Sequence, residues 1–360
     1  MSDEGKLKAI RARIDAIDAQ LQQLITERAE CAQQVAHNKV ISDSAEYYRP
    51  EREAEVLRTV KGRNHGPLSD DAVVQVFREI MSACLALQQP MQVAYLGPEG
   101  TYTHAATLKH FGHAAQTRPL PTIDQVFREV ESGNTHYGVV PVENSTEGVV
   151  NHTLDMFLSS PLLICSEIEL RIHHHLLATS AQRGTLTRIY AHQQTLAQCR
   201  GWLDSHLPGI ERIAVSSNGE AARLAAQQPG SAAIAGDMAA EIYGLQRIAS
   251  NIEDEPDNTT RFLVIGRKMA AASGQDKTSL LLAAPNRPGA LFALLQPFSR
   301  QGITLTRIES RPSRRAVWEY VFFVDVEGHV QEPAVAGALR ELEQQASMVK
   351  VLGSYPRAVV

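Results

Sequence analysis

One arginine interrupts the apolar pattern at the start of the chain. Apolar side chains recur there in steps of three and four, as in a long amphipathic helix that packs against another long helix. They are Leu7, Ile10, Ile14, Ile17, Leu21, Leu24, Cys31 and Val35. The position between Leu24 and Cys31 holds Arg28. Because a guanidinium in a buried seam is costly unless an anion meets it, Arg28 predicts an anion-binding groove.

Two further cations extend this groove. Lys39 lies about three helical turns, roughly 16 Å, beyond Arg28 and on nearly the same side of the helix. Arg11 lies roughly 100° around the helix from Arg28, so it would more readily reach a groove formed with a partner helix. The alternative is that Arg28 pairs with a neighbouring acid or extends its aliphatic stem to reach water.

Two more helices complete a helical first region. Pro50 suits the first position of a helix that runs to about Arg63, and Ser69 offers an N-cap for a helix that reaches about Gln89. We expect the three helices to bring one polar set into the groove, namely Arg28, Lys39, Arg52, Glu53 and Gln88. The alternative for Gln88 is a frayed helix end in solvent.

The composition favours a cytoplasmic protein that binds small molecules. With 360 residues the chain suggests about two to three domains, and its formal net charge of −5 gives no support to a nucleic-acid binder. Its 4 cysteines have no paired spacing and indicate reduced thiols. The polar start resembles no signal peptide, and no apolar run approaches the ~20 residues that a membrane span needs.

A second region, from Gln92 to about Arg267, alternates strands and helices. That order predicts α/β layers with a mostly parallel sheet and a site beyond the carboxyl ends of the strands. Polar loops follow strands at residues 143–148, 191–194 and 258–262, although each alone could be an ordinary capped turn. The run His173-His174-His175 suggests a metal. However, adjacent strand residues point to opposite faces and no other ligand has zinc spacing, so we predict no metal site.

The third region follows a linker at residues 270–275. Its strand and helix order from residue 278 to residue 355 is βαββαβ, which is typical of a ferredoxin-like module. Gly289 would let the backbone approach a ligand closely at a helix start. The alternative is a dimerising sheet without a ligand.

The spacing of the cations in the first region resembles that of the all-helical chorismate mutase domain. The resemblance covers Arg11, Arg28, Lys39, the turn Pro50-Glu51-Arg52-Glu53 and Gln88. It implies an intertwined dimer in which Arg11 enters the partner's pocket, so that Arg11 and Arg28 hold the two carboxylates of chorismate. By the same resemblance, Lys39 and Gln88 face the ether oxygen and Glu53 accepts a hydrogen bond from the substrate hydroxyl. Arg49 and Arg52 complete the implied substrate contacts.

Three motifs in the second region resemble prephenate dehydratase in order and spacing. They are Gly97-Pro98-Glu99-Gly100-Thr101, Pro141-Val142-Glu143-Asn144 and Thr260-Arg261-Phe262. The resemblance implies two α/β lobes, like a periplasmic binding protein, with the site in the cleft between them. It implies that Thr260 assists departure of the ring hydroxyl and that Arg261 helps to hold a carboxylate. Glu143, Asn144 and Gln198 are the other implied contacts of prephenate.

Two motifs in the third region resemble an ACT regulatory domain that binds phenylalanine. They are Asn286-Arg287-Pro288-Gly289-Ala290-Leu291 and Glu309-Ser310-Arg311-Pro312. The implied phenylalanine contacts are Gly289, Ala290, Leu291, Glu309, Ser310, Arg311 and Pro312.

The sequence thus predicts a multidomain chain. We expect an all-α domain at residues 1–90, a two-lobed α/β domain at 92–267 and a ferredoxin-like ACT domain at 277–355. The resemblances imply a cofactor-free bifunctional enzyme that converts chorismate to prephenate and prephenate to phenylpyruvate. They also imply a homodimer or higher homo-oligomer under feedback inhibition by phenylalanine, without nucleic acid or membrane partners. The alternatives are an amino-acid-sensing binding protein with a helical dimerisation domain, and a metal-dependent hydrolase that uses the histidine run.

Overall fold

The computed structural model describes residues 3–41, 48–180, 186–284, 287–313 and 320–359, with the backbone alone for residues 39–41. These residues form three regions in chain order: a helical region, a two-lobed α/β region and a smaller α/β region at the C-terminus. The multidomain fold class expected from the sequence is therefore confirmed. Among the described residues, no helix combines the length and the apolar character needed to cross a bilayer.

The helical region is built on one long helix and two shorter ones. The helices are α1 (Asp3–Ile41), α2 (Pro50–Arg63) and α3 (Asp70–Ala86). Pro50 occupies the first turn of α2, where its missing N–H leaves no hydrogen bond unmade. Ser69 caps α3 by accepting a hydrogen bond from the backbone N–H of Ala72.

The apolar seam of α1 lies in solvent when the chain is considered alone. Its members between Leu7 and Leu24 are 39% to 60% exposed. Three apolar residues in α3 or directly after it are exposed as well, namely Val76, Phe77 and Leu87. The helix against which the seam was expected to pack is thus not supplied by the described part of this chain. An apolar surface of this extent marks an interaction site.

The central region has 11 strands and 7 helices among its described residues. The chain passes from the first lobe to the second and then returns to the first. In chain order they are β1 (Gln92–Leu96), α4 (Tyr102–Phe111), β2 (Gln116–Leu120), α5 (Ile123–Glu131), β3 (Tyr137–Asn144), β4 (Gly148–Val149), α6 (Asn151–Ser159), β5 (Leu163–Arg171), β6 (His175–Ala178), β7 (Arg188–His192), α7 (Gln193–Gln198), α8 (Arg200–His206), β8 (Glu211–Val215), α9 (Asn218–Gln227), β9 (Ser231–Ala235), α10 (Asp237–Tyr243), β10 (Gln246–Ala249) and β11 (Thr259–Gly266).

Each lobe contains one mixed sheet. The first lobe has the strand order β2-β1-β3-β11-β5, with β4 beside β3, and the second lobe has the order β10-β6-β9-β7-β8. Strand β11 runs antiparallel to both β3 and β5, and β6 runs antiparallel to β9 and β10. The expectation of a mostly parallel sheet was therefore wrong. The chain crosses to the second lobe after β5 and returns in β11, which enters the first sheet from the opposite end.

The C-terminal region is a ferredoxin-like module. Its elements are β12 (Asp276–Ala283), α11 (Ala290–Arg300), β13 (Leu305–Pro312), β14 (Tyr320–Glu327), α12 (Pro333–Gln345) and β15 (Met348–Pro356). The four strands lie in the order β13-β14-β12-β15, and all neighbours are antiparallel. This arrangement agrees with the βαββαβ order expected from the sequence.

The first lobe and the C-terminal module share one hydrophobic core. Phe127, Phe157 and Leu263 of the lobe belong to the same buried cluster as Phe323 and Tyr355 of the module. Burying side chains of this size stabilises by roughly 1.5–3 kcal/mol each. The module is therefore docked on the lobe rather than tethered to it.

Gly353 shows how close this docking is. A Cβ atom at Gly353 would overlap the carbonyl oxygen of Ile164 in β5 and lie 2.8 Å from its backbone nitrogen. Since backbone atoms cannot move aside as a side chain does, we predict that Gly353→Ala lowers the free energy of unfolding by about 2–3 kcal/mol. Urea unfolding followed by circular dichroism measures this change.

Gly62→Ala is the matched control. A Cβ at Gly62 in α2 meets nothing within 4 Å, and alanine is favoured over glycine in a helix by roughly 0.5–1 kcal/mol. The control should therefore leave stability unchanged or raise it. Equal stability of both variants would contradict the close docking at β5.

Candidate active sites

A cavity of about 550 Å³ lies between the helical region and α4. Most of the cations and acceptors predicted for the first site contribute to its wall: Arg28, Arg49, Arg52, Glu53 and Gln88. Arg28 is half-buried there, although the remainder of the seam of α1 is exposed. Arg11 is exposed on α1 and lies outside this wall. The side chain of Lys39 lies outside the described residues.

The cavity wall is positively charged. Among its described lining residues, the arginines outnumber the single carboxylate, that of Glu53, by four to one. The guanidinium groups are held in place by local acids: Arg49 Nε lies 2.6 Å from Glu51 Oε1, and Arg52 Nη1 lies 3.0 Å from Glu55 Oε2. A cavity of this volume and charge suits a small ligand with more than one carboxylate.

Glu53 is the titratable carboxyl of this wall. Burial raises the pKa of its carboxyl to about 7, while Arg78 and the Tyr48 hydroxyl oppose that rise. Its Oε1 lies 3.6 Å from Arg78 Nε. The carboxyl can therefore exchange a proton near neutral pH, and in its ionised form it can accept a hydrogen bond from a bound hydroxyl.

Arg78 is a member of this site that sequence reasoning missed. It is 6% exposed, and its Nε finds no hydrogen-bond partner among the described residues. The signal was present in the sequence: Val74, Arg78, Met81, Leu85 and Gln88 follow one another in steps of four and three. An arginine in that stripe has the same implication as Arg28 in the seam of α1.

A second polar cluster lies where the two lobes meet. Asn144, at the end of β3, donates from Nδ2 to Thr260 Oγ1 at 2.8 Å and to Asn258 Oδ1 at 2.7 Å. Gln198, at the end of α7 in the second lobe, donates to Thr146 Oγ1 at 3.0 Å. The structure thus brings Asn144, Gln198 and Thr260 together from three distant parts of the chain, as expected.

His174 completes this cluster and was not among the predicted site residues. Asn258 donates to Gln198 Oε1, so this oxygen faces His174, whose Nε2 lies 2.8 Å away. His174 must then donate from Nε2, and its Nδ1 lies 2.6 Å from the Tyr102 hydroxyl, which donates to the backbone carbonyl oxygen of His173 at 2.7 Å. Burial lowers the pKa of His174, which favours this neutral form. The pair His174 and Tyr102 therefore fixes the orientation of the Gln198 amide.

Two predicted members of the second site point elsewhere. Glu143 Oε2 lies 2.9 Å from Arg307 Nε in the C-terminal module. The guanidinium of Arg261 pairs with Glu167 Oε2 at 3.1 Å and Asp325 Oδ2 at 2.7 Å. Neighbouring residues of a strand face opposite sides, so Asn144 and Thr260 face the cleft while Glu143 and Arg261 face the module. Placing both pairs in one site was incorrect.

The histidine run is divided in the same way. His173 pairs with Glu253 at 2.8 Å, and His174 belongs to the cleft. Within the described residues, no group of three histidine, cysteine or acidic side chains could hold a metal ion.

The described residues of the two motifs predicted to bind phenylalanine lie on the C-terminal module, whereas Asn286 lies outside the described residues. Gly289 caps α11 in the left-handed conformation, with φ of +79°, and Leu291 in the first turn of that helix is exposed. Ala290 lies between them. Glu309, Ser310, Arg311 and Pro312 lie on the edge strand β13.

Arg311 departs from the expectation that it is free to bind an effector. Its Nη2 lies 2.7 Å from Asp155 Oδ1 in α6 of the first lobe. Both side chains are largely buried. The guanidinium therefore joins the module to the lobe, and a ligand would have to compete with Asp155 for it.

Comparisons with known proteins match the chain in consecutive segments. Family models match at residues 10–89 (chorismate mutase type II), 93–270 (prephenate dehydratase) and 278–344 (ACT domain). A bifunctional chorismate mutase/prephenate dehydratase of Stutzerimonas stutzeri is 55% identical over 365 residues, which is 100% of both chains. A protein of the same name from Aquifex aeolicus is 45% identical over 359 residues, which is 99% of both chains.

A solved structure shows the same fold for the second and third regions. The crystal structure of prephenate dehydratase in complex with L-Phe from Arthrobacter aurescens has a TM-score of 0.69 and 35% sequence identity. The match covers 74% of this chain and 90% of that chain. With full-length relatives at this identity and a matching model for each region, the chain belongs to the bifunctional chorismate mutase/prephenate dehydratase family.

Proposed function

We propose that chorismate rearranges to prephenate in the cationic cavity, and that prephenate loses carbon dioxide and water in the cleft between the lobes. Neither step needs a cofactor. The observation that carries the first assignment is the set of half-buried Arg28, Glu53 and Gln88 with buried Arg78 around one cavity. A dicarboxylate supplies further anions to a wall whose arginines outnumber its one carboxylate, that of Glu53.

The first reaction is an internal rearrangement, so the cavity has only to hold a compact conformer and stabilise charge. Arg28 binds one carboxylate, and Arg11 of a second chain binds the other. Gln88 and Lys39 donate hydrogen bonds to the ether oxygen, where negative charge grows as the carbon–oxygen bond breaks. The ionised carboxyl of Glu53 accepts a hydrogen bond from the ring hydroxyl. No group needs to attack the substrate.

A second copy of the chain is the partner that fits the exposed seam of α1. The seam is apolar, continuous and aligned along a single long helix, which is the geometry of helix pairing in a dimer. Arg11 flanks that seam, outside its own chain's cavity. We infer a homodimer or a higher homo-oligomer in which each cavity is completed across the interface. The cytoplasm remains the predicted location, because the 4 cysteines have no paired spacing in the sequence.

We predict that Arg28→Ala lowers kcat/KM for chorismate by about 10²–10³-fold, because a buried charge pair with the substrate is lost. Conversion of added prephenate should remain unchanged, since the cleft lies in another region. Arg63→Ala, at the exposed end of α2, is the matched control and should alter neither activity. A parallel loss of both activities in Arg28→Ala would show that the sites are not separate.

Mixed dimers test the shared site in the same assay. When Arg11→Ala and Arg28→Ala chains are unfolded and refolded together, some dimers contain one chain of each kind. In these mixed dimers, one of the two cavities has both arginines. About a quarter of the wild-type mutase activity should return. No recovery above the two parent variants would contradict the crossing of Arg11.

In the second reaction, the electron pair of the breaking bond to carbon dioxide enters the ring as the hydroxyl group leaves. The leaving oxygen needs a proton, and Thr260 is placed to donate one. Asn144 Nδ2 donates to Thr260 Oγ1, so the hydroxyl proton of Thr260 is free to point at the substrate. Gln198, oriented by His174, brings an amide NH2 group from the opposite lobe, and a bound substrate would take over one of its hydrogen bonds from Thr146 Oγ1 or Glu147 Oε1.

We predict that Thr260→Ala lowers kcat for prephenate by about 10²–10⁴-fold, the range for loss of a proton donor. Mutase activity should persist. Thr260→Ser, which keeps the hydroxyl, is the control and should retain most of the rate. Thr260 is excluded as the donor if the alanine variant turns over prephenate as fast as the serine variant.

We also propose that phenylalanine binds the C-terminal module and inhibits the dehydratase. Two supports are the exposed motifs at Gly289 and on β13, and the phenylalanine complex of the Arthrobacter aurescens relative. The ion pairs of Arg307 with Glu143 and of Asp325 with Arg261 give the module direct contact with the strands that carry Asn144 and Thr260.

We predict that saturating phenylalanine lowers the dehydratase rate, and that Gly289→Ala raises the half-inhibitory concentration about 5-fold. The reason is that a Cβ in the left-handed conformation costs roughly 1 kcal/mol. Gly302→Ala has a similar backbone cost, because Gly302 has a φ of +67°, but it lies outside both motifs. Phenylalanine should therefore inhibit this variant as it inhibits the wild type. Initial rates against phenylalanine concentration measure both. Dehydratase rates that do not change with phenylalanine concentration would contradict this regulatory role.

A further inference from the structure

Asn258 lies where the chain returns from the second lobe to the first. It precedes β11 directly, and its backbone oxygen accepts a hydrogen bond at 2.8 Å from the N–H of Ile172, which follows β5 on the outgoing crossing. The two crossings between the lobes are therefore joined at this residue. Asn258 is 2% exposed, so its side-chain amide must find its partners inside the protein.

The amide of Asn258 contacts a functional side chain of each lobe. Its Oδ1 accepts from Asn144 Nδ2 of the first lobe at 2.7 Å, and its Nδ2 donates to Gln198 Oε1 of the second lobe at 3.3 Å. The same Asn144 Nδ2 donates to Thr260 Oγ1 at 2.8 Å. One buried side chain thus connects the proposed proton donor of the first lobe to the amide from the opposite lobe.

The direction of these hydrogen bonds is fixed at the first-lobe end. Asn144 Oδ1 accepts from the backbone N–H groups of Thr146 at 3.1 Å and Glu147 at 3.0 Å. Because a backbone N–H can only donate, the oxygen of the Asn144 amide must face this turn. Its NH2 group then faces Asn258 and Thr260, so Asn258 must present its oxygen to Asn144.

The second-lobe end requires the same direction. Gln198 Nε2 lies 3.0 Å from Thr146 Oγ1 and 3.3 Å from Glu147 Oε1. An ionised carboxylate can only accept, so Gln198 turns its NH2 group toward Glu147 and its oxygen toward Asn258. Asn258 must then present its NH2 group to Gln198. Both ends agree, and a side chain at this position needs one acceptor and one donor to satisfy them.

We propose that Asn258 is a positioning residue for the dehydratase reaction. Its oxygen holds the Asn144 amide that leaves the Thr260 proton free for the substrate, and its NH2 group holds the oxygen of Gln198. The inference rests on the proposed assignment of prephenate to the cleft. It places at the crossing between the lobes a residue that aligns groups from both of them and acts through these groups.

The experiment uses the full-length chain and two changes of similar size at this position. Asn258→Asp keeps the shape and the acceptor, but it replaces the NH2 group by a second acceptor, which is ionised at about pH 8. Asn258→Leu removes both polar groups. Asn134→Asp is the matched control, because it makes the same chemical change at an exposed position between α5 and β3.

Initial rates with prephenate give kcat and KM for each variant. Thermal unfolding followed by circular dichroism shows whether the variant is folded at the assay temperature. If Asn258→Asp is unfolded, Asn258→Ser takes its place, because serine buries no charge and its hydroxyl is too short to reach both amides.

We expect Asn258→Asp and Asn258→Leu each to lower kcat about 30-fold, with KM changed less than about 3-fold. The loss falls on kcat because the substrate contacts remain while their alignment is lost. Asn134→Asp should match the wild type. The double variant Asn258→Asp with Gln198→Leu should lose less than the product of the two single losses, since the two residues act through one contact.

Other results would overturn the inference in different ways. If Thr260→Ala converts prephenate at the wild-type rate, the cleft assignment is wrong and the inference fails with it. If Thr260→Ala is impaired while Asn258→Asp is fully active, the cleft is the dehydratase site and Asn258 only fills space there. Additive losses with Gln198→Leu would show that Asn258 does not act through Gln198. A rise in KM alone would make Asn258 a substrate contact instead.

Discussion

The alternation of side chains along β3 and β11 is the constraint on which the dehydratase region depends. These neighbouring antiparallel strands place Asn144 and Thr260 on the face of the cleft. The residues adjacent to them in each strand, Glu143 and Arg261, face the C-terminal module. The proposed dehydratase site and the docked module thus meet opposite faces of the same two strands, one residue apart. A shift of either strand by one residue would exchange the side chains that face the cleft with those that face the module.

The charges on the module side are buried and strongly coupled. Burial alone would lower the pKa of Arg261, but Tyr355, Asp325 and Glu167 raise it above its usual value. Burial would likewise raise the pKa of Asp325, whereas Arg261 and Ser279 lower it. Both groups therefore stay ionised, and each depends on the other, since removal of one partner leaves an uncompensated buried charge. Strand β11 is held by this interdependence as well as by the shared hydrophobic core.

The three regions are therefore parts of one structure. The module completes the core of the first lobe, and α4 of that lobe contributes to the wall of the cationic cavity. The exposed seam of α1 points to a further partner, which we propose is a second copy of the chain. In this arrangement, the cationic cavity meets the lobe through Tyr48 and His110, while the strands that border the cleft meet the module through Glu143 and Arg261. Each site is built at a boundary between regions.

Much of this could be predicted from local pattern, because backbone geometry makes it local. A helix repeats every 3.6 residues, so an arginine at a seam position had to lie on the same side of its helix as the apolar residues. That argument found Arg28 and would have found Arg78 by the same count. A strand repeats every two residues, so the division of Glu143 from Asn144 was also available from the sequence. The error lay in treating adjacent motif residues as one group.

The sequence by itself determined the helices, the strands, the order of the three regions and the family motifs, because each depends on neighbours along the chain. Only the tertiary structure decided which side chains share a site. His174 and Gln198 meet across 24 residues, and Asn144 and Thr260 across 116. His110 enters a cavity built by another region. Such contacts depend on how whole elements pack, and no periodicity of a single segment contains that information.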